Sequence, residues 1–109
     1  MAQSAQRLIN GEIMTSTAAV YYTVASQTKC VIKKLVFCNT TLGSVNVTIY
    51  LVPNAGTVGD DNTLIDGKQL IAGQTWSCPD AENMVLEAGG SIHALGDGVT
   101  VMGSGIEIT

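Results

Sequence analysis

The sequence predicts an all-β fold, an antiparallel and jelly-roll-like β-sandwich of eight to ten short strands. Three observations predict it. Val, Ile and Thr are abundant and tend to recur at every second position, as a pleated, half-buried strand requires. Twelve glycines punctuate the chain, and turn residues return about every eight to twelve positions. No helix-length stretch repeats its apolar residues with a period of about 3.6. Periodicity alone does not separate a sandwich or jelly roll from a small barrel.

The elements follow in order. Residues 1–6 are polar and uncharged, and they are expected to form an N-terminal arm outside the core. Gln6-Arg7-Leu8-Ile9 reads as a short strand. Asn10-Gly11 reads as its hairpin turn and residues 12–15 as the return strand. Val20, Tyr22 and Val24 alternate with Tyr21 and Thr23. Lys29–Asn39 is a long strand whose alternation breaks at Lys33-Lys34, which predicts a bulge or a local edge.

Val45–Val52 is the clearest strand. Val45, Val47, Ile49 and Leu51 share one face, with Asn46, Thr48 and Tyr50 on the other. It is expected to pair with Lys29–Asn39 across the short turn at residues 40–44 and to stop at Pro53. Residues 54–63 form the longest loop. Residues 68–71, 74–78, 84–86, 91–95, 99–102 and 105–108 then read as short strands, with Gly96-Asp97-Gly98 as a turn.

One local repeat is present. Leu70-Ile71-Ala72-Gly73-Gln74-Thr75 is similar to Leu86-Glu87-Ala88-Gly89-Gly90-Ser91. Each ends an apolar strand, turns on Ala-Gly and starts a new strand at a hydroxyl residue. The glycine supplies the positive φ that a tight reversal needs. Two such corners fit strands that cross between the sheets of a sandwich.

The 109 residues suit a single domain spanning 1–109, able to bury roughly 65% of its unfolded surface. The hydrophobic fraction is 46%, while the charged fraction is 13%, about half the usual 25% or so. Such a composition excludes intrinsic disorder. It leaves an uncharged surface that implies self-association or docking onto a partner. Five basic residues face nine acidic ones, for a net charge of −4, and only Lys33 and Lys34 are adjacent. A phosphate backbone or an anionic membrane needs clustered cations, so neither is an expected partner. No apolar run is long enough for a membrane helix, and the start lacks the pattern of a secretory leader. Three cysteines, without CxxC spacing, argue against a disulfide framework and for folding in a reducing cytoplasm.

Chemistry-bearing patterns are few. His93 is the one histidine, and alternation sets it opposite Ile92 and Ala94. No nucleophile elbow accompanies it, so a surface or interface histidine is expected. Cys30 and Cys38 share a strand face by parity, roughly 26 Å apart, and with Cys78 are expected to be free thiols. Gly59-Asp60-Asp61-Asn62-Thr63-Leu64-Ile65-Asp66 is an acidic loop of the kind that binds hard cations, yet it fails the EF-hand pattern at Leu64 and Ile65. A solvated loop is expected. Trp76, Tyr21, Tyr22 and Tyr50 are candidates for a sugar-stacking platform, the basis of an alternative reading as a carbohydrate-binding module. Phosphate-cradling glycine motifs are missing, and Gly103-Ser104-Gly105 leads into a strand as a bulge or turn. No catalytic, metal-binding or cofactor-binding residue is assigned, and no cofactor is expected.

A resemblance adds to this reading. Leu35-Val36-Phe37-Cys38-Asn39-Thr40, followed by Val45-Asn46-Val47-Thr48-Ile49-Tyr50-Leu51-Val52-Pro53, resembles small β-sandwich virion proteins of tailed bacteriophages. The corners at Gly73 to Thr75 and Leu86 to Ile92 sit where that class has them. The resemblance covers roughly residues 20–109. With the acidity and low charge content, it implies a capsid cement, or decoration, protein. Such proteins are not enzymes. They bind major capsid protein subunits at their junctions on the capsid exterior, often as dimers or trimers. Head–tail, neck and tail-associated proteins use similar modules and are the alternative within the class.

Overall fold

A computed structural model describes residues 2–109. Among them, nine strands occur in chain order: β1 (Gln3–Ile13), β2 (Ala19–Thr23), β3 (Lys29–Asn39), β4 (Val45–Val52), β5 (Thr63–Leu70), β6 (Thr75–Ser77), β7 (Val85–Leu86), β8 (Ser91–Leu95) and β9 (Val99–Ile108). Two 3-10 turns, Asp60–Asn62 and Pro79–Ala81, are the helical elements among the described residues. The first sheet runs β1-β9-β3-β6, with β7 also on β3. The second runs β2-β8-β4-β5. All pairings are antiparallel.

The pairings nest from the chain ends inward: β1 with β9, β2 with β8, β3 with β6, β4 with β5. That is a long hairpin rolled so that successive pairs fall in alternate sheets, the jelly-roll topology. The predicted all-β, jelly-roll-like sandwich is what forms. β1 at 11 residues and β9 at 10 exceed the short strands expected there, while β3 has the 11 residues expected of it.

The core lies between the sheets. Ile9, Cys30, Ile32, Leu35, Phe37, Val99 and Val101 from the first sheet meet Val47, Ile49, Leu70, Ile92 and Ala94 from the second. The expected bulge at Lys33-Lys34 is present: Ile32 pairs with Gly105 but Lys34 with Ser104, so β3 carries one extra residue. A bulge reverses side-chain parity. Cys30 and Ile32 point inward before it, and Leu35, Phe37 and Asn39 point inward after it. Cys30 and Cys38 therefore lie on opposite faces, which corrects the shared face read from parity alone. β1 bulges at the same level, between Arg7 and Ile9. Both neighbours of β9 thus bend around Gly103-Ser104-Gly105, which is mid-strand and is neither a turn nor itself bulged. A Cβ on Gly103 would come within 2.9 Å of Leu35 Cδ1, so glycine permits the close approach.

The two Ala-Gly corners do cross between sheets, from β5 to β6 and from β7 to β8. They share one hydrogen-bond pattern. Gly73 N donates to Asn39 O and Gly89 N to Val24 O. Asn39 N donates to Gln74 O and Val24 N to Gly90 O. Gly73 and Gly89 take φ values of +79° and +82°.

Three further expectations are corrected. Asn10-Gly11 does not close a hairpin. β1 runs through it as one strand with a second bulge, since Ile9 pairs with Gly103 and Glu12 with Val101. Gly11, at φ +119°, absorbs the extra residue. Residues 3–6, expected as an arm, belong to β1 and pair with β9 from Gln3 opposite Ile108 onward; Met1 lies outside the described residues. Finally, β4 does not pair with β3. Residues 40–44 carry the chain from one sheet to the other, and β4 pairs with β5 and β8. Asn39 makes this corner. Its buried side chain donates to Gly43 O (2.8 Å) and Leu70 O (2.9 Å) and accepts from Thr41 N and Oγ1. A hairpin would leave those carbonyls to strand pairing, whereas a corner needs a side chain to hold them.

Candidate interaction surfaces

The outer face of the first sheet is built by alternation from residues that the core does not use. In register, Ala5 faces Ile106, Ile106 faces Val31, and Val31 faces Val85, which gives one apolar row across four strands. Val85 is 53% exposed. Further along, Met102 sits beside Val36, and Ile13, 70% exposed, sits beside Thr100 and Cys38. Between these rows runs a basic band, Arg7–Ser104–Lys34, with the bulged Lys33 next to it. Lys33 Nζ donates to Asn83 Oδ1 at 3.0 Å. Three of the chain's five cations thus gather on one face of an acidic protein. The adjacency of Lys33 and Lys34 was the only sequence signal for this band. Arg7 joins it through pairing to β9.

An open cleft of about 460 Å³ lies at one end of the sandwich. Leu51, Pro53, Leu64, Met84 and Leu86 supply most of its apolar wall, and Asn54, Asp61 and Asn62 its polar rim.

The sequence candidates scatter. His93 is on the outer face of the second sheet, opposite Ile92 and Ala94 as expected, and its Nε2 lies 3.0 Å from Ser91 Oγ. The two are i and i+2 on one strand, so alternation alone places them together. Burial lowers the His93 pKa, so the ring is neutral and its contact with Ser91 is an ordinary hydrogen bond. No described carboxylate bonds the other ring nitrogen, so the pair lacks the orienting third group of a Ser–His–Asp triad. Cys30 and Cys78 are buried and Cys38 is half-buried; all three are free. Burial pushes the Cys30 and Cys78 thiols up.

In the acidic loop, Asn62 Oδ1 accepts from Gly59 N and Asn62 Nδ2 donates to Thr57 O, so the amide closes the turn on itself. Asp66 lies away on β5. Among the described residues no group of three or more His, Cys, Asp or Glu converges as metal ligands would. The aromatics do not form a platform. Trp76 packs against Phe37 at a centroid distance of 5.9 Å, under Lys68 Nζ at 5.4 Å. Tyr50 pairs with His93 in the other sheet, and Tyr22 is bonded to Glu107.

No protein-family model matches the chain, and no curated protein does. Solved virus structures are similar in fold. The structure of infectious bursal disease virus, Gx strain, has a TM-score of 0.54 and 12% sequence identity over 97% of this chain and 31% of that one. A crystal structure of the T13 particle of the same virus gives 0.49 and 13%, over 97% and 30%. The chain spans about a third of the length of the structures it matches. At such identities the likeness is one of fold.

Proposed function

We propose that this chain is a non-enzymatic structural protein of a bacteriophage virion, a capsid cement protein that binds at junctions between major capsid protein subunits and stabilises the shell. The observation that carries the reading is the outer face of the first sheet. It is apolar along two levels, carries Arg7 and Lys34 between them, and is covered by no other strand among the described residues. Burial of about 800 Å² there gives ample gross driving force at about 25 cal/mol per Å², set against the cost of association. Repetition over a capsid adds avidity. Jelly rolls recur in viral capsid proteins, and the virus structures similar in fold to this chain agree with that use. The chain works on the capsid exterior after synthesis in the host cytoplasm, as a dimer or trimer, without nucleic acid or membrane as partner.

The test is copy number. Virions are purified and the chain is counted by mass spectrometry. Hundreds of copies per particle support a cement protein. A dozen or fewer would place it at the neck or tail, and absence from virions would overturn the reading.

A further inference from the structure

The free edge of β1 has a hydrogen-bonding phase that two copies can share. Ala2 exchanges both backbone bonds with Thr109, at 3.0 and 2.9 Å. In an antiparallel ladder such exchanging pairs fall at every second residue. Ser4 and Gln6 therefore bond to β9, while Gln3, Ala5 and Arg7 turn their N–H and C=O groups to the open side. This stretch is in constant register with β9 until the bulge after Arg7. It is exposed, and Arg7 is its one charge. Native sheets usually blunt an edge with charge, Pro or a bulge. On β1 the bulges come only from Leu8 onward.

We propose that residues 3–7 of β1 pair antiparallel with the same residues of a second copy, about a twofold axis at Ala5. Ala5 then exchanges two bonds with Ala5 of the other copy, and Gln3 exchanges two with Arg7 on each side. Moving the axis to Arg7 would set like charges opposite each other and run into the bulge. The axis at Ala5 sets each arginine opposite a neutral glutamine. It also joins the row Ala5–Ile106–Val31–Val85 to its copy, so two five-stranded sheets become one continuous outer face. A contact confined to one strand edge is smaller than the standard interface of about 1,600 Å², so a weak dimer that grows with concentration is expected. Such a dimer forms from the chain alone, whether or not the chain binds a capsid.

The experiment is sedimentation velocity of the full chain from about 1 to 200 µM, with amide exchange followed by NMR at both ends of that range. A dimer of twice 11.3 kDa is expected at high concentration. Amides of Gln3, Ala5 and Arg7 should gain protection with concentration, while those of Ser4 and Gln6 stay protected throughout. Ala5→Lys should weaken the dimer at least about tenfold. Gln3→Glu, facing Arg7 of the other copy, should tighten it about two- to fivefold. Ala5→Pro removes an N–H that β9 does not use and should abolish the dimer with the fold intact by circular dichroism. A monomer at 200 µM would overturn the proposal. So would a dimer indifferent to both Ala5→Lys and Gln3→Glu, or protection of the three amides that appears only on adding capsid shells.

Discussion

Tyr22 Oη donates a hydrogen bond to Glu107 Oε2 at 2.5 Å, and this bond ties β2 of one sheet to β9 of the other across 85 residues of sequence. Cys30, from β3, lies beside both. The contact closes the end of the sandwich where Ala2 pairs with Thr109, because Glu107 faces inward at the level of Cys30. Burial, reinforced by the bond to Glu107, raises the Tyr22 pKa well above its ordinary value near 10.

Stability at alkaline pH follows from that shift. The folded state favours the protonated phenol, while the unfolded chain releases its proton near pH 10. The stabilisation is thus fully present below about pH 10 and is lost as pH rises through the folded value. Thermal melts between pH 8 and 11 should show a falling Tm for the native chain. Tyr22→Phe should melt lower at pH 8, by about 1 kcal/mol, and show a shallower alkaline decline. Parallel declines in both proteins would remove Tyr22 as the cause.

Asn39 is the polar residue on which the corner between β3 and β4 depends. Asn39→Ala removes the donor to the Leu70 carbonyl and one of two donors to the Gly43 carbonyl, which keeps Thr41 Oγ1, and should cost about 2 kcal/mol in urea unfolding. Asn39→Asp should cost more, because a carboxylate replaces a donor that faces two carbonyl oxygens. Equal losses from the two would mean that the donor is not what matters.

Thiol reactivity should separate the cysteines. Cys38 lies on the outer face of the first sheet beyond the bulge, while Cys30 and Cys78 are buried with raised pKa values. A maleimide probe on the folded chain should label one site, lost in Cys38→Ser, and label three after denaturation.

The same residue shows what could be read from sequence and what could not. Lys33-Lys34 announced the bulge in β3, and the two Ala-Gly corners announced the sheet crossings, because both signals are local. The consequence for Cys38 needed the bulge counted through to the end of the strand. Asn10-Gly11 suits a hairpin and a bulge equally. Only the ten residues of β9 alongside decide between them, and no local pattern carries that. Nested pairing is non-local for the same reason, which is why β4 looked like the hairpin partner of β3. The basic band and the Tyr22–Glu107 bond join residues far apart in the chain, and neither had a signal of its own beyond the lysine pair.

His93 gives an acid-side prediction. Burial lowers its pKa, so the fold holds it neutral while the unfolded chain takes a proton near pH 6.5. Its contribution opposes folding progressively as pH falls through that value and levels off below the folded one. Tm should drop between pH 7 and 5, and His93→Gln should flatten that drop. An unchanged slope in the variant would assign it to other groups.

β4 allows the sharpest comparison, because its two faces are no longer core against solvent. Val47 and Ile49 are fully buried as the alternation predicts. Thr48, on the opposite face, is also only 9% exposed. The reason lies in β5, where Asp66-Gly67 bulges opposite Thr48, and Gly67 N donates to Thr48 Oγ1 at 3.1 Å. Gly67 takes φ +70°, so the hydroxyl secures a backbone amide that the irregular ladder leaves free. Ile49→Ala should cost about 2–5 kcal/mol through lost burial and a cavity. Thr48→Ala removes only the acceptor and should cost about 1–2 kcal/mol, more than a solvated threonine would. Thr48→Ser keeps the oxygen and should recover most of that loss, whereas Thr48→Val keeps the shape and should not. Urea unfolding of the four variants decides it: if Val protects as well as Ser, packing and not the Gly67 hydrogen bond is what buries Thr48.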